Sequence, residues 1–311
     1  MNTKIKGYAL GAIAAASYGT NPLFALPLYA EGFTPDSVLF FRYLFALPIL
    51  GIMLKSRGRS FKITRRDIVP LAVLGIIFAL SSLTLFQSYN YMDAGIASTI
   101  LFVYPIMVAL IMAMFFGEKL TIQTILCLLM AVGGIGLLYK GENGTTLSLT
   151  GTSLVFASSL SYAIYIVAIN QLHLREMATL KITFYVILFG WLLFVFRSIA
   201  GEGIQLPPSD KPWLWGNLVA LALMPTAISL LCTTGAIQYI GSTPTAILGA
   251  LEPVTAVFFG VTIFHESLTT RIVIGFVLII SAVSIVVAGG SISRHLIRLR
   301  KMFPRIIKAI R

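Results

Sequence analysis

The stretch Tyr104–Thr121, YPIMVALIMAMFFGEKLT, returns 148 residues later as Glu252–Thr269, EPVTAVFFGVTIFHESLT. Pro105 meets Pro253, and the run Phe116, Glu118, Leu120, Thr121 meets Phe264, Glu266, Leu268, Thr269. The register holds without a gap from about Tyr89 to Gly136 and pairs Tyr91 with Tyr239. Near the start of each half, Gly7 with Ser17-Tyr18 matches Gly151 with Ser161-Tyr162 at a shift of 144. A repeat of this length implies one structural unit used twice. We place the first unit at 1–141, the second at 142–290, and a basic tail at 291–311.

Both repeated stretches are apolar, and so is the rest of the chain. Of its 311 residues, 58% are hydrophobic and only 11% charged, against roughly 25% charged in soluble domains. Apolar runs of about twenty residues recur throughout, long enough at about 1.5 Å per residue to cross a hydrocarbon core of roughly 30 Å. Ten spans are expected. In the first half they run from Gly7 to Tyr29, Pro35 to Leu54, Asp67 to Tyr91, Asp93 to Phe116 and Thr121 to Tyr139. In the second they run from Gly151 to Asn170, Thr179 to Ala200, Trp213 to Tyr239, Ser242 to Phe264 and Thr269 to Gly289. The first run is too long for the apolar segment of a signal peptide and is read as an uncleaved helix. The expected fold is all-α and membrane-integral.

Five spans per half is an odd number, so the second half enters the membrane from the opposite side and the repeat is inverted. With both termini inside, the inner segments hold 18 of the 23 Lys and Arg residues, which the positive-inside rule requires. The expected setting is therefore the cell (inner) membrane, multi-pass, with cytoplasmic termini. The net charge of +12 reports this topology and not a nucleic-acid partner. In the tail, Arg298, Lys301, Arg305 and Lys308 alternate with Leu299, Met302, Phe303, Ile306 and Ile310. That pattern reads as an interfacial helix on anionic lipid or as an unstructured basic tail, since Pro304 interrupts it.

These residues carry a family resemblance. Tyr18 and Tyr162 after small-residue stripes, Phe41-Arg42-Tyr43, Tyr104-Pro105, Gly117-Glu118-Lys119-Leu120, Leu251-Glu252-Pro253-Val254 and Glu266-Ser267-Leu268-Thr269 resemble the drug/metabolite transporter superfamily, in its EamA branch. The resemblance spans Gly7 to Gly289 and implies a carrier of small metabolites, with amino acids or related compounds as the leading class and efflux as the expected direction. One departure is His265, which stands where the family more often has glycine before the loop glutamate.

Pro105 and Pro253 lie near the middle of their spans, where each frees a carbonyl one turn earlier and permits a kink. Tyr104 and Glu252, equivalent under the repeat, stand beside them. An ionisable group at that depth faces a cavity, a partner or a pathway. Glu252 is read either as a proton or amine site or as a structural clamp, with Arg42 as a partner. Arg42 lies some 10 Å into its helix by the helical rise, within reach of partial snorkelling. Further pathway candidates are Asn21 beside Pro22, Gln87, Tyr89, Thr234 and Gln238, with Tyr18, Tyr162 and Tyr165 as aromatic walls; interhelical packing is the alternative reading of each. Asn170 and Thr233 are read chiefly as such glue. Gly7, Gly11, Ala15 and Gly19, and Gly241, Thr245 and Gly249, form stripes for close helix approach. Glu118 and Glu266 are assigned to structure, beside the helices that start at Thr121 and Thr269.

An enzyme needs a reactive constellation, and the sequence has no HExxH, GxSxG or phosphate loop. No cofactor and no metal site is expected, and Cys127 and Cys232 sit inside apolar runs. The function expected is alternating-access transport of a small organic solute, with protons as a possible coupling partner. A channel or facilitative pore and a subunit that flips lipid-linked substrates are the competing classes.

Overall fold

The computed structural model describes residues 3–117, 122–139, 148–171, 177–201, 203–240, 248–249, 251–282 and 285. They are helical, with no strand among them. In chain order the helices are α1 (Thr3–Tyr18), α2 (Asn21–Ala30), α3 (Pro35–Ser56), α4 (Arg65–Ser88), α5 (Ala94–Leu101), α6 (Tyr104–Phe116), α7 (Ile122–Tyr139) and α8 (Leu149–Gln171). Next come α9 (Thr179–Ala200), α10 (Trp213–Ala222), a π-helical turn (Leu223–Ile228), α11 (Ser229–Ile240), α12 (Leu251–Phe264) and α13 (Thr270–Ala282). Six segments are long and apolar enough to cross a membrane by length and composition, while α12 and α13 are shorter apolar helices. The tail 291–311 and the stripe residues Gly241 and Thr245 lie outside the described residues.

Polarity is distributed as a lipid solvent requires. Met114, Phe196, Phe258 and Val277 are exposed, while Ser81, Ser82, Ser158, Ser159, Arg42 and Thr226 are buried. Without water, an unpaired polar group pointing at lipid is costly, so such groups turn inward and bond to neighbouring helices.

The packing repeats about a two-fold axis. α1 packs on α11 as α8 packs on α4, and α10 packs on α3 as α9 packs on α4. Individual bonds obey the same relation. Ser229 Oγ donates to Ala14 O at 3.0 Å, and Ser81 Oγ donates to Ser158 O at the same distance; the pairs are related by the shifts of 148 and 144. Likewise Gly7 lies against Tyr239 and Gly151 against Tyr91, where an added Cβ would approach the tyrosine Cβ to 2.8 and 2.9 Å respectively. Each glycine of one half thus admits the repeat-related tyrosine of the other.

Four spans are interrupted, each beside a proline. Proline lacks an N–H, so the carbonyl four residues earlier loses its donor. Every one of these carbonyls has a substitute. For Pro22 it is Asn21 Nδ2, which donates to Tyr18 O at 2.9 Å. For Pro105, Ser159 Oγ from α8 lies 3.2 Å from Leu101 O while also bonding Val155 O. For Pro225, Thr226 Oγ1 donates to Leu221 O at 3.0 Å across the π turn. For Pro253, Glu252 N donates to Gly249 O at 3.0 Å. The sequence reading expected kinks at Pro105 and Pro253; instead α6 restarts with Pro105 in its first turn and α12 with Pro253 in its own. The expected single span from Gly7 to Tyr29 is likewise two helices, divided at Gly19-Thr20. By contrast α8, which has no proline, runs unbroken.

Cross-half contacts also sort the connections by face. Asp36 pairs with Arg197, Glu31 with Lys211, and Gln205 with Thr34 and Ser37. Lys181 and Tyr185 donate to the carbonyls of Lys62 and Phe61. The first group is made of segments that strict alternation of ten spans assigns to one side, the second of segments it assigns to the other.

Candidate functional site

The helix breaks bring chemistry to the junction of the two halves. Tyr18 is the last residue of α1, Asn21 the first of α2, Tyr104 the first of α6, and Glu252 lies in the first turn of α12. Tyr162 and Tyr165 come from the unbroken α8. Gly19 sets the approach of α1 to α12, since a Cβ there would meet Glu252 O at 2.5 Å. Tyr18 is thereby held within electrostatic reach of Glu252.

Across the axis, Tyr104 and Tyr162 meet edge to face with ring centroids 4.7 Å apart, a favoured aromatic arrangement. Tyr18 corresponds to Tyr162 and Glu252 to Tyr104 under the repeat, so where one half sets two phenols in contact the other sets a phenol within the field of a carboxyl. Tyr162 stacks on Tyr165 at 6.0 Å, and Phe78 closes the aromatic wall 5.1 Å from Tyr165. Tyr18, Tyr104, Tyr162, Tyr165 and Glu252 are each half-buried. Glu252 also sits where a helix N-terminus favours negative charge.

Arg42 is enclosed within the helix bundle. It does not snorkel: it is 2% exposed. Nor does it pair with Glu252 among the described residues. Its Nε donates to Thr226 Oγ1 at 2.9 Å, and its guanidinium lies 5.2 Å from the centre of the Phe86 ring. The physical reason is local, because the π turn forced by Pro225 presents a hydroxyl and Phe86 presents a π face, and together they accommodate the cation in place. Tyr18 feels both the charge of Arg42 and that of Glu252.

Tyr89, at the end of α4, is buried beside Ser98, and its hydroxyl is left without a well-formed hydrogen bond. Asn21 Oδ1 is likewise buried and unpaired. Gln87 is half-buried on α4, and no contact joins it to the cluster among the described residues. Thr234 and Gln238 lie on α11, but their side chains, like that of Asn170, are outside the described ones. Thr233 bonds within its own helix, to Ser229 O at 2.8 Å. Sequence reasoning missed Thr226, Phe86 and Phe78. The one legible signal was Pro225 followed by threonine, a hydroxyl next to the proline that breaks the helix.

Glu266 is structural, on a different helix from the expected one. Its carboxylate accepts from Ala94 N at 2.9 Å and Gly95 N at 3.2 Å, capping α5 of the first half rather than the helix that follows it in sequence. His265 adopts φ 55°, the left-handed conformation that Gly117 takes at φ 69° in the first half. The replacement of glycine by histidine therefore leaves the turn intact.

No group of His, Cys, Asp or Glu among the described residues is arranged to hold a metal ion. What the cluster offers among the described residues is one carboxyl and several phenols, with no nucleophile activated by a base.

The EamA-like transporter family matches the chain twice, over residues 5–140 and 149–288. An uncharacterized transporter of Archaeoglobus fulgidus is 27% identical over 252 residues, covering 80% of this chain and 85% of that protein. The uncharacterized transporter YcbK of Bacillus subtilis is 23% identical over 292 residues, covering 88% and 91%. A crystal structure superimposes with TM-score 0.67 at 19% identity, covering 93% of this chain and 98% of that one, which is a likeness of fold. With both halves matched, the chain belongs to the EamA-like transporter family, as a multi-pass membrane transporter and not an enzyme.

Proposed function

We propose that this transporter carries a small organic metabolite by alternating access, with amino acids or related compounds as the leading class and export as the direction. The observation that carries the reading is the repeat-related placement of Tyr104 in contact with Tyr162 and of Glu252 within electrostatic reach of Tyr18, at helix breaks between the halves. Two like halves around one site are able to exchange conformations and expose it to either side in turn. Glu252 offers an anchor for an amine or a proton, and Tyr104, Tyr162 and Tyr165 offer faces for an apolar or planar side chain. The domain boundaries 1–141, 142–290 and 291–311, the cell-membrane setting, the cytoplasmic termini and the contact of the basic tail with anionic lipid belong to the same proposal.

The test is counterflow in proteoliposomes preloaded with a pool of unlabelled amino acids and presented with the labelled pool. Saturable, trans-stimulated uptake is expected. Linear flux without trans-stimulation indicates a pore and overturns alternating access. Glu252→Gln is expected to reduce uptake at least tenfold or to abolish its pH dependence; unchanged flux and an unchanged pH profile remove proton coupling through this residue.

A further inference from the structure

We infer that Arg42 is the anion-binding residue of this site, holding the carboxylate of an amphipathic solute whose apolar or aromatic end lies against Tyr162 and Tyr165. The inference deepens the transporter reading and rests on it for its occupant. Arg42 is 2% exposed, yet no carboxylate pairs with it among the described residues. The cations that do pair with a carboxylate there, Arg197 with Asp36 and Lys211 with Glu31, are partly exposed and lie at the ends of their spans. A charge taken out of water without a counter-ion is costly, and inside a membrane span it marks a ligand or a pathway.

The guanidinium is oriented but not used up. The Nε bond to Thr226 Oγ1 and the ring of Phe86 hold it in place, and the N–H groups beyond Nε form a planar fork that matches a carboxylate. Tyr18 stands beside it with its hydroxyl. Two buried polar atoms of the same neighbourhood are unpaired: the Tyr89 hydroxyl, which feels the charges of Arg42 and Glu252, and Asn21 Oδ1, in the break that follows Tyr18. A free hydroxyl donor suits a carboxylate, and a free acceptor suits an N–H of the solute.

The duplication confines charge to one side of the site. α3 and α9 are both 22 residues long and keep the shift of 144, which pairs Arg42 with Val186. The same shift pairs Asn21 with Tyr165, and the shift of 148 pairs Thr226 with Phe78. Each polar member thus has an apolar or aromatic counterpart, just as Glu252 has Tyr104. The counterparts pack together, with Tyr165 6.0 Å from Tyr162 and 5.1 Å from Phe78 between ring centres. Both sides belong to one neighbourhood, because Tyr104 and Tyr162 lie within electrostatic reach of Glu252 and Tyr18. A solute bound across the axis therefore meets charge at one end and rings at the other.

Equilibrium dialysis of the full chain in nanodiscs tests the assignment by binding and not by flux. The probes are L-phenylalanine and its primary amide, which keeps the ring and the amine and lacks the carboxylate. The acid is expected to bind at least about tenfold more tightly than the amide, the size of a hydrogen bond to a charged group. Arg42→Met should bring the acid down to the level of the amide, whereas Tyr165→Ala should weaken both alike and keep their ratio. Equal affinities for acid and amide in the unaltered protein, no binding of the acid, or an acid preference that survives Arg42→Met overturn the proposal, as does a ratio that collapses in Tyr165→Ala. If Arg42→Met does not fold, Arg42→Lys keeps the charge and loses the fork; an acid preference unchanged by it overturns the proposal equally. Acid binding that depends on Arg42 in a protein without counterflow supports this site and removes the carrier reading alone, while counterflow that does not distinguish acid from amide removes this site alone.

Discussion

Arg42 on α3 donates through Nε to the hydroxyl of Thr226, 184 residues away in the π turn of the other half. The same hydroxyl donates to Leu221 O, the carbonyl that Pro225 leaves without an N–H. One side chain therefore repairs a broken helix and accepts from a buried cation.

Thr226→Val keeps the volume and removes both bonds. It is expected to cost about 2 kcal/mol, because a buried guanidinium and a carbonyl are left short of partners. The combined variant Arg42→Met with Thr226→Val should cost less than the sum of the two single changes. Thermal unfolding in detergent, arranged as a double-mutant cycle, measures the coupling; additive losses would show that the bond contributes nothing.

The repeat-related bonds make a symmetric prediction. Ser229→Ala and Ser81→Ala each remove a hydroxyl donor to the opposite half, worth about 0.6 kcal/mol for an interhelical bond in a membrane protein. The two losses should be alike, since Ser158 Oγ keeps its own bond to Ser81 O when the Ser81 hydroxyl is removed. Clearly unequal losses in an unfolding assay would refute this equivalence.

Ser159→Ala should weaken the restart of α6. Without Ser159 Oγ, Leu101 O has no substitute for the N–H that Pro105 lacks. The expected loss is about 1 kcal/mol, and it should disappear when Pro105 is also changed to alanine, which restores the donor. A loss that persists in the double variant argues against this account.

His265→Gly should stabilise the turn by about 1 kcal/mol, because a side chain in the left-handed region costs about that much and glycine does not. His265→Val should destabilise it by a comparable or larger amount. The order Gly above His above Val in melting temperature is the check.

Stability should also fall as pH rises through about 6, where Glu266 ionises in the folded protein. Its value is raised relative to the unfolded chain, so the favourable contribution is complete below pH 4.5 and lost above 6. Screening by solvent at this partly exposed loop limits the change to about 1 kcal/mol. Glu266→Gln should remove that step from a plot of melting temperature against pH.

Much of the architecture was legible because a membrane leaves so few options. Tyr104 and Glu252 announced themselves by position in the repeat and by proline at their side, and the structure brings both to helix starts at the same junction. The breaks were half legible. Pro22, Pro105, Pro225 and Pro253 mark them, but whether a proline bends a helix or ends it depends on which donor reaches the freed carbonyl. For Pro105 that donor is Ser159, and sequence proximity carries no hint of it.

The sequence by itself determined the solvent, the duplication and the candidate residues, because apolar run length, internal register and proline are one-dimensional signals. Only the tertiary structure decided partners. Glu266 caps a helix 172 residues away, Arg42 lies on Phe86 instead of reaching for Glu252, and Tyr18 finds Glu252 because Gly19 admits the backbone of α12. Such contacts depend on interhelical distances of a few ångströms, which two halves set jointly when they pack and which neither half encodes alone.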